Sequence, residues 1–426
     1  MRETRSGGKG RDLPHPKPVD KIELSDEHKR LRLILTAVFL IIGAFFIAYG
    51  VANLSSKDAG WTEIEVISSE LNCSEDFVFL YCLGEGDTSA TAENKALTAR
   101  YTEASEYAFR MFTNDVEYEN VHNMYYISRH PNEEMAVDDV LYNAFSLIKE
   151  SGDRKLYLAP VYEQYDGLFY CTEEYQAQEY DPRKNQEVAD YYKAIAVFAN
   201  DERMIDLELL GDNRICLRVA DEYLNFASEN EIESFIDFYW MKNAFIADYL
   251  AEEMLSAGFS RGCISSVDGF TRNLDNSTEY YAYTFYDKSG SVIYPVSSIQ
   301  YTGPLGIVYL HDYALNSAQP YYYAYSEGEI RTPYLDTKDG LCRSSVSDLV
   351  CYGRELSCSE ILLKMTPVYI ADSLNKDDLT KLSEEGIFAL FCENRRICYN
   401  DADLIMTGLY SDGNEQYEAV FINRGF

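Results

Sequence analysis

The chain has 426 residues and a formal net charge of -34 at pH 7, with an isoelectric point near 4.4. This length allows one large domain or two domains of ordinary size. Because contacts with phosphate groups need a basic surface, the acidic balance argues against non-specific binding to nucleic acid or to an anionic membrane surface. The 37 tyrosines favour sheet-rich structure, since tyrosine has high strand propensity and a polar tip that tolerates half-burial.

The N-terminal region predicts a membrane anchor. Residues 33–54 carry no charge and are long enough to cross a hydrocarbon layer of about 30 Å. Basic residues precede them, so residues 1–32 are predicted to be a disordered cytoplasmic tail. Residues 55–74 are then a stalk, and residues 75–426 form one extracytoplasmic domain, held at the lipid bilayer of the cell membrane. A signal peptide cleaved before Asn53 is the alternative interpretation.

Ten cysteines are compatible with disulfides in an exported chain. The spacings of residues 73–82 and 392–398 favour local disulfides across hairpins, with buried reduced thiols as the alternative. No two cysteines have the C-x-x-C spacing, and only five histidines are present. This composition argues against a zinc site rich in thiolates or imidazoles.

Hydrophobic periodicity and turn signals predict an α+β domain. Helices are expected at 91–112, 137–151, 244–257 and 377–386. Thr91 and Asp138 are the expected N-caps of the first two helices, and Gly258 is expected to end the third. A strand is predicted at 77–84, hairpins at 280–294 and 387–401, and a strand-like entry, "FIDFYW", before the third helix.

Local signatures of catalysis are missing from the sequence. There is no G-x-S-x-G elbow, no phosphate-binding G-x-x-x-x-G-K-[ST] loop and no H-E-x-x-H pair. "LDTKDG" (335–340) lacks the alternating acidic residues of an EF-hand and is predicted to be a solvated turn. "SVDGF" (266–270) predicts a strand that ends in a tight turn.

Several segments, taken in order, follow the pattern of one known family. They are "YYISRHPNEEMAVDDVLYNAFSLI" (125–148), "DFYWMKNAFIAD" (237–248), "CISSVDGFTR" (263–272), "SAQPYYYAYSEGEIRTPYLDTKDG" (317–340) and "LSCSEILLKM" (356–365). Together they resemble the FAD:protein FMN transferases of the ApbE type, exported enzymes that attach FMN to a Thr or Ser of a target protein. The resemblance implies one flavin-transferase-like α+β domain behind the N-terminal transmembrane helix.

The resemblance also implies where a flavin cleft and its metal would lie. The motif residues that this chain keeps are Asp237, Asp248, Ser317 and Asp336. The backbone carbonyl that the family uses for the metal falls near Trp240. The metal-binding Asp and Thr fall on Ser359 and Leu363, which removes the anionic ligand that a hard cation prefers.

Positions for phosphate binding and proton transfer differ as well. The family's Lys falls on Asn243, and Lys242 lies one position away. The Gly-Gly pair falls on Val267 and Asp268, which adds a negative charge where phosphates would lie. The family's His falls on Pro333, which can neither accept a proton nor donate a hydrogen bond.

These differences lead to three hypotheses. The first is a catalytically degenerate flavin-transferase-like protein that has no firm cofactor or metal and binds an exported protein partner or a ligand, but no nucleic acid. The second is an active divergent transferase, which would need FAD and Mg²⁺. The third is an exported tyrosine-rich domain, unrelated to that family, that binds glycans by stacking sugars on aromatic rings.

Overall fold

The computed structural model describes residues 57–69, 76–86, 88–290, 292–315, 321–412 and 415–422. The predicted tail and anchor, residues 1–54, lie outside these ranges. Among the described residues, no helix has the length and apolar character needed to cross a bilayer. Residues 57–426 group into one compact unit.

The predicted helices are confirmed, with ends shifted by one or two residues, and further helices lie between them. The α-helices of the described region are α1 (Ala90–Phe112), α2 (Met124–Arg129), α3 (Asp139–Ser151), α4 (Ala159–Asp166), α5 (Glu174–Tyr180), α6 (Gln186–Ala199), α7 (Asp221–Glu229), α8 (Lys242–Ser256), α9 (Cys358–Tyr369) and α10 (Lys376–Glu384). Gly258 follows α8 with a φ of +87°, as expected for a residue that ends a helix.

One predicted cap is confirmed and one is wrong. Asp138 caps α3, because its side chain accepts a hydrogen bond from the Val140 N–H at 3.2 Å. Helix α1 begins one residue earlier than expected, so Thr91 lies inside its first turn and Ser89 is the N-cap. The Thr91 hydroxyl instead accepts a hydrogen bond from the Lys57 N–H at 3.0 Å.

The strands form one large sheet and several small ones. They are β1 (Gly60–Glu63), β2 (Phe77–Leu83), β3 (Glu134–Ala136), β4 (Ile205–Gly211), β5 (Arg214–Val219), β6 (Gly262–Ser266), β7 (Phe270–Asn273), β8 (Tyr281–Ser289), β9 (Val292–Tyr301), β10 (Leu305–His311), β11 (Tyr323–Ala324), β12 (Ile330–Arg331), β13 (Asp348–Arg354), β14 (Phe388–Glu393), β15 (Arg396–Tyr399), β16 (Ile405–Thr407), β17 (Ser411–Asp412), β18 (Glu415–Gln416) and β19 (Glu418–Phe421). The large sheet has the order β1-β2-β6-β7-β10-β13-β14-β15-β19.

The two faces of the large sheet are covered differently. On β10, Val308 and Leu310 pack with the helices, whereas Ile307 and Tyr309 point to the other face. That other face is covered by the sheet of β16, β9 and β8, which contributes Phe285 and other apolar side chains. Successive side chains of a strand point to opposite faces of the sheet, so β10 contributes to both faces. The domain therefore has three layers: the helices, the large sheet and the small sheet.

Part of the predicted stalk belongs to the large sheet. Strand β1 lies inside the predicted stalk, 55–74, and pairs with β2, so this segment is not a stalk.

Cys392 and Cys398 are both reduced, and the predicted disulfide between them is wrong. Their side chains point to opposite faces of the sheet, because Cys392 pairs with Ile397 while Cys398 pairs with Phe391. Cys73, of the other predicted pair, lies outside the described residues.

Candidate functional site

The segment before α8 is a turn and not the predicted strand. A short 3₁₀ turn, Tyr239–Met241, leads directly into α8 at Lys242. The Asp237 N–H donates to the Leu156 carbonyl, which belongs to a 3₁₀ segment, so no neighbouring strand takes part. Tyr239 has a φ of +48°, a left-handed conformation that is unfavourable for a tyrosine and needs support from its surroundings.

Asp237 supports this turn. Its Oδ1 accepts a hydrogen bond from the Tyr239 N–H at 2.8 Å, and burial raises the pKa of its carboxyl group. The Tyr239 ring stacks on Tyr162 with a centroid distance of 4.5 Å, and its hydroxyl donates to Asp166 at 3.0 Å. These contacts hold the backbone at the start of α8 in one conformation.

Asp248 joins three elements of the fold. Its two carboxylate oxygens accept hydrogen bonds from the N–H groups of Cys358 and Ser359, both at 2.8 Å, at the start of α9. Arg272 on β7 forms an ion pair with the same carboxylate at 2.6 Å. Since all these groups are largely buried, Asp248 works as a structural link between α8, β7 and α9.

The positions that the resemblance assigns to a metal carry no anionic ligand. Ser359 is 2% exposed, with its N–H bound to Asp248 and its hydroxyl 3.2 Å from the Ser357 hydroxyl. Leu363 is 5% exposed and packs in the main core. These residues do not match the oxygen-rich, negatively charged ligand set that Mg²⁺ requires.

Aromatic rings lie around the positions of Trp240 and Pro333. The Trp240 ring contacts Tyr334 edge to face at 5.0 Å, and Tyr334 contacts Tyr369 of α9 in the same way at 5.2 Å. Pro333, which precedes Tyr334, is buried. The row of rings therefore links the start of α8, the segment after β12 and the end of α9.

Two carboxylates converge on Asn243. The Asn243 Nδ2 donates to Asp268 Oδ2 at 3.0 Å and to Asp76 Oδ2 at 3.3 Å. Burial, with the charge of Asp76 added, raises the pKa of Asp268 to about 7, against the lowering effect of hydrogen bonds from Ser266 and Asn243. Asp76 was not predicted, because it approaches Asp268 only through the pairing of β2 with β6.

The remaining predicted residues do not join this pair. Lys242 is half-buried, and its ammonium makes no hydrogen bond or ion pair with the residues that the structure describes. Asp336 is 7% exposed rather than solvated, and it accepts a hydrogen bond from the Lys338 N–H at 3.0 Å and pairs with Arg343 at 3.4 Å. Ser317 lies outside the described residues.

The fold of the chain matches solved structures. The ApbE protein of Thermotoga maritima matches with a TM-score of 0.54 at 12% identity, covering 80% of this chain and 94% of that one. The flavin transferase ApbE of Vibrio cholerae and its His-to-Gly variant match with TM-scores of 0.50 and 0.51 at 12% identity, covering 82% of this chain and 97% of each of theirs. The chain has an ApbE-like fold. No family model matches it, and no curated protein matches it in sequence.

The ApbE-like fold confirms the resemblance that the order of the motifs indicated. At 12% identity, the chain diverges strongly from the solved structures. Within this fold, Asp237 and Asp248 are structural residues of the turn and of the α8–α9 junction. Asn243 and Asp268 do come together, with Asp76 as a third member that the sequence did not reveal.

Proposed function

We propose that this chain is a membrane-anchored protein whose extracytoplasmic ApbE-like domain has lost flavin transfer and acts as a binding or scaffold module for an exported protein partner. The observation that carries the proposal is the pair of carboxylates, Asp76 and Asp268, on the amide of Asn243. The resemblance assigns this place to flavin phosphates. The pair repels the negative charge of a pyrophosphate, most strongly above the pKa of about 7 of Asp268.

The donor set of the domain does not suit the cofactor and metal of the family. Ser359 and Leu363 supply no carboxylate for Mg²⁺, and Pro333 supplies no group that could move a proton. Lys242 does not replace the missing lysine, because the side chain that reaches Asp268 is that of Asn243. No step of flavin transfer is therefore assigned to this chain. The glycan-binding hypothesis assumed an unrelated fold, and the ApbE-like fold contradicts that assumption.

The test uses the full-length protein with FAD and Mg²⁺. We expect no quenching of flavin fluorescence by the wild type and no covalent flavin on a co-expressed target protein. If the two carboxylates exclude FAD, the double variant Asp76→Asn, Asp268→Asn should bind FAD more tightly than the wild type. The matched control is Asp372→Asn, which removes an exposed carboxylate elsewhere and should leave FAD binding unchanged. Covalent flavin made by the wild type would establish the active transferase instead.

The anchor is tested separately. Full-length protein should sediment with membranes and resist extraction by alkaline carbonate, whereas a chain that begins at residue 57 should be released. Release of the full-length protein by carbonate would contradict the anchor without bearing on flavin transfer.

A further inference from the structure

Three potential metal ligands meet between the two packed sheets, outside all of the motif segments discussed above. Asp287 comes from β8 of the small sheet, Asp348 from the start of β13 and Cys392 from β14 of the large sheet. Their ligand atoms, one from each side chain, lie within 4.8 Å of one another. The residues are far apart in sequence, so only the packing of the sheets brings them together.

Asp348 is a buried carboxylate without a cationic partner. It is 1% exposed, its Oδ1 accepts a hydrogen bond from the Cys392 N–H at 2.9 Å, and its Oδ2 accepts one from the Tyr313 hydroxyl at 3.4 Å. In the part of the chain that the structure describes, no Lys, Arg or His forms an ion pair with it.

The thiol of Cys392 is an independent indication of a ligand. It is 7% exposed, and its Sγ has no hydrogen-bond partner among the described residues. The register of β14 with β15 turns this side chain toward the small sheet, and so toward Asp287, and away from Cys398. The Cys392 side chain is thus more than nine-tenths buried, points at two carboxylates, and has no hydrogen-bond partner for its thiol among the described residues.

Two of the three ligands line a cleft, and both carboxylates are held in place by hydrogen bonds. A cleft of about 680 Å³ is lined by Asp287 and Cys392. The Tyr417 hydroxyl donates to Asp287 Oδ2 at 2.9 Å, as Tyr313 does to Asp348. Hydrogen bonds of this kind orient metal ligands and raise the affinity of the site. Lys288, Glu393 and Arg395 also line the cleft, so its formal charge is balanced and the three ligands determine what binds.

We propose that Asp287, Asp348 and Cys392 bind one divalent transition metal ion, best matched by Zn²⁺. Zn²⁺ accepts both carboxylate oxygen and thiolate ligands, and these three leave a fourth tetrahedral position for water, whereas the thiolate disfavours Mg²⁺ and Ca²⁺. On binding, the Cys392 S–H and any protonated carboxyl among the ligands lose their protons to solvent, as one metal–sulfur bond and the metal–oxygen bonds form. The ion links the small sheet to the large one, and this role is independent of flavin transfer.

The experiment uses Co²⁺ as a spectroscopic probe for the zinc site. Full-length protein is reduced, stripped with a chelator, and titrated with Co²⁺ and then with Zn²⁺. We expect a thiolate-to-cobalt charge-transfer absorption that saturates at one equivalent and is displaced by Zn²⁺. Cys392→Ser should abolish the absorption and weaken Zn²⁺ binding by about tenfold or more. Cys398→Ser is the matched control, since it removes a thiol from the opposite face of the same hairpin.

A second variant keeps the test decisive if Cys392→Ser folds poorly. Asp287→Asn, in a half-buried position, should weaken binding by a similar factor while circular dichroism stays unchanged. The proposal is overturned if wild-type protein shows no thiolate absorption with Co²⁺. It is equally overturned if Zn²⁺ binds wild type and Cys392→Ser with the same affinity, because the ion would then sit on surface carboxylates.

Discussion

Asp248, which the resemblance assigns to a cofactor motif, supports the fold in this structure. It matches the family motif by position, yet each of its contacts is internal, two to backbone N–H groups of α9 and one to Arg272. A carboxylate that binds the N–H groups at a helix N-terminus and neutralises a buried guanidinium supports the fold whether or not a ligand binds nearby.

Replacement of Asp248 should therefore be costly. Asp248→Ala leaves Arg272 buried without its partner and the Cys358 and Ser359 N–H groups without their acceptor, so we expect the free energy of unfolding to fall by about 3 kcal/mol. Urea denaturation of the full-length protein measures the change. Asp372→Ala removes a carboxylate from an exposed ion pair and should alter stability by less than about 0.5 kcal/mol. Equal effects of the two variants would contradict the structural role of Asp248.

Asp268 gives a pH-dependent contribution to stability. Its pKa is raised to about 7, against about 3.9 in an unfolded chain. A carboxyl group with a raised pKa keeps its proton in the folded state, so its contribution is fully present below about pH 4 and is lost as the pH rises to about 7.

Asp268→Asn should remove this dependence. Relative to wild type, the variant should become more stable as the pH rises from about 4 to about 7, by on the order of 1–3 kcal/mol. Urea denaturation of both proteins across that range measures the difference. A difference that stays constant with pH would show that Asp268 does not titrate there.

Residues that depend on local sequence were predictable, and those that depend on strand pairing were not. The roles of Asp138 and Gly258 follow from helix-end chemistry and are confirmed. Asp76 gives no local signal, because it reaches Asp268 only where β2 pairs with β6. The same reason hid the cluster of Asp287, Asp348 and Cys392, which no sequence spacing encodes.

Among the elements, the amphipathic helices were predictable and the turn before α8 was not. The sequences of helices such as α1 and α3 have apolar residues at the helical period, and over this length that pattern indicates an amphipathic helix rather than a strand. "FIDFYW" has the composition of a strand, but its aromatic rings are buried against helices and a 3₁₀ turn. These tertiary contacts override the strand propensity of the segment.

Helix α9 allows a test of whether Leu363, at a position that the resemblance assigns to a metal, is part of the core. Leu363 is 5% exposed in the main core, so Leu363→Ala should lower the free energy of unfolding by about 2–4 kcal/mol. Leu255 on α8 is 41% exposed, and Leu255→Ala should cost less than about 1 kcal/mol. Thermal or urea denaturation distinguishes the two. A tolerant Leu363 would mean that the α9 position still borders an open cleft.

For the molecule as a whole, the order of weak motifs was a better guide to the fold than any single motif. Five segments in the family's order indicated the architecture that the ApbE structures confirm at 12% identity. The packing of one sheet on the other could not be predicted, since the continuous apolar runs of β10 and β14 indicate two buried faces but not which element covers each.

The net charge of -34 should make stability depend on ionic strength. Repulsion among surface carboxylates weakens as the screening length shortens to about 10 Å at 0.1 M salt. We therefore expect the melting temperature of the full-length protein to rise by about 2 °C or more between low and physiological salt. NaCl and KCl should act equally, because the effect follows ionic strength. A melting temperature that falls over this range would contradict it.

Strand β19 has a consequence for how the protein is made. It pairs in parallel with β15 and so completes one edge of the large sheet from residues 418–421. During synthesis from the N-terminus, β15 leaves the ribosome before its partner exists and for that interval has an open edge able to pair with another chain. The nascent protein thus has a brief period of exposure to misassembly, during which a bound chaperone would raise the yield of folded molecules.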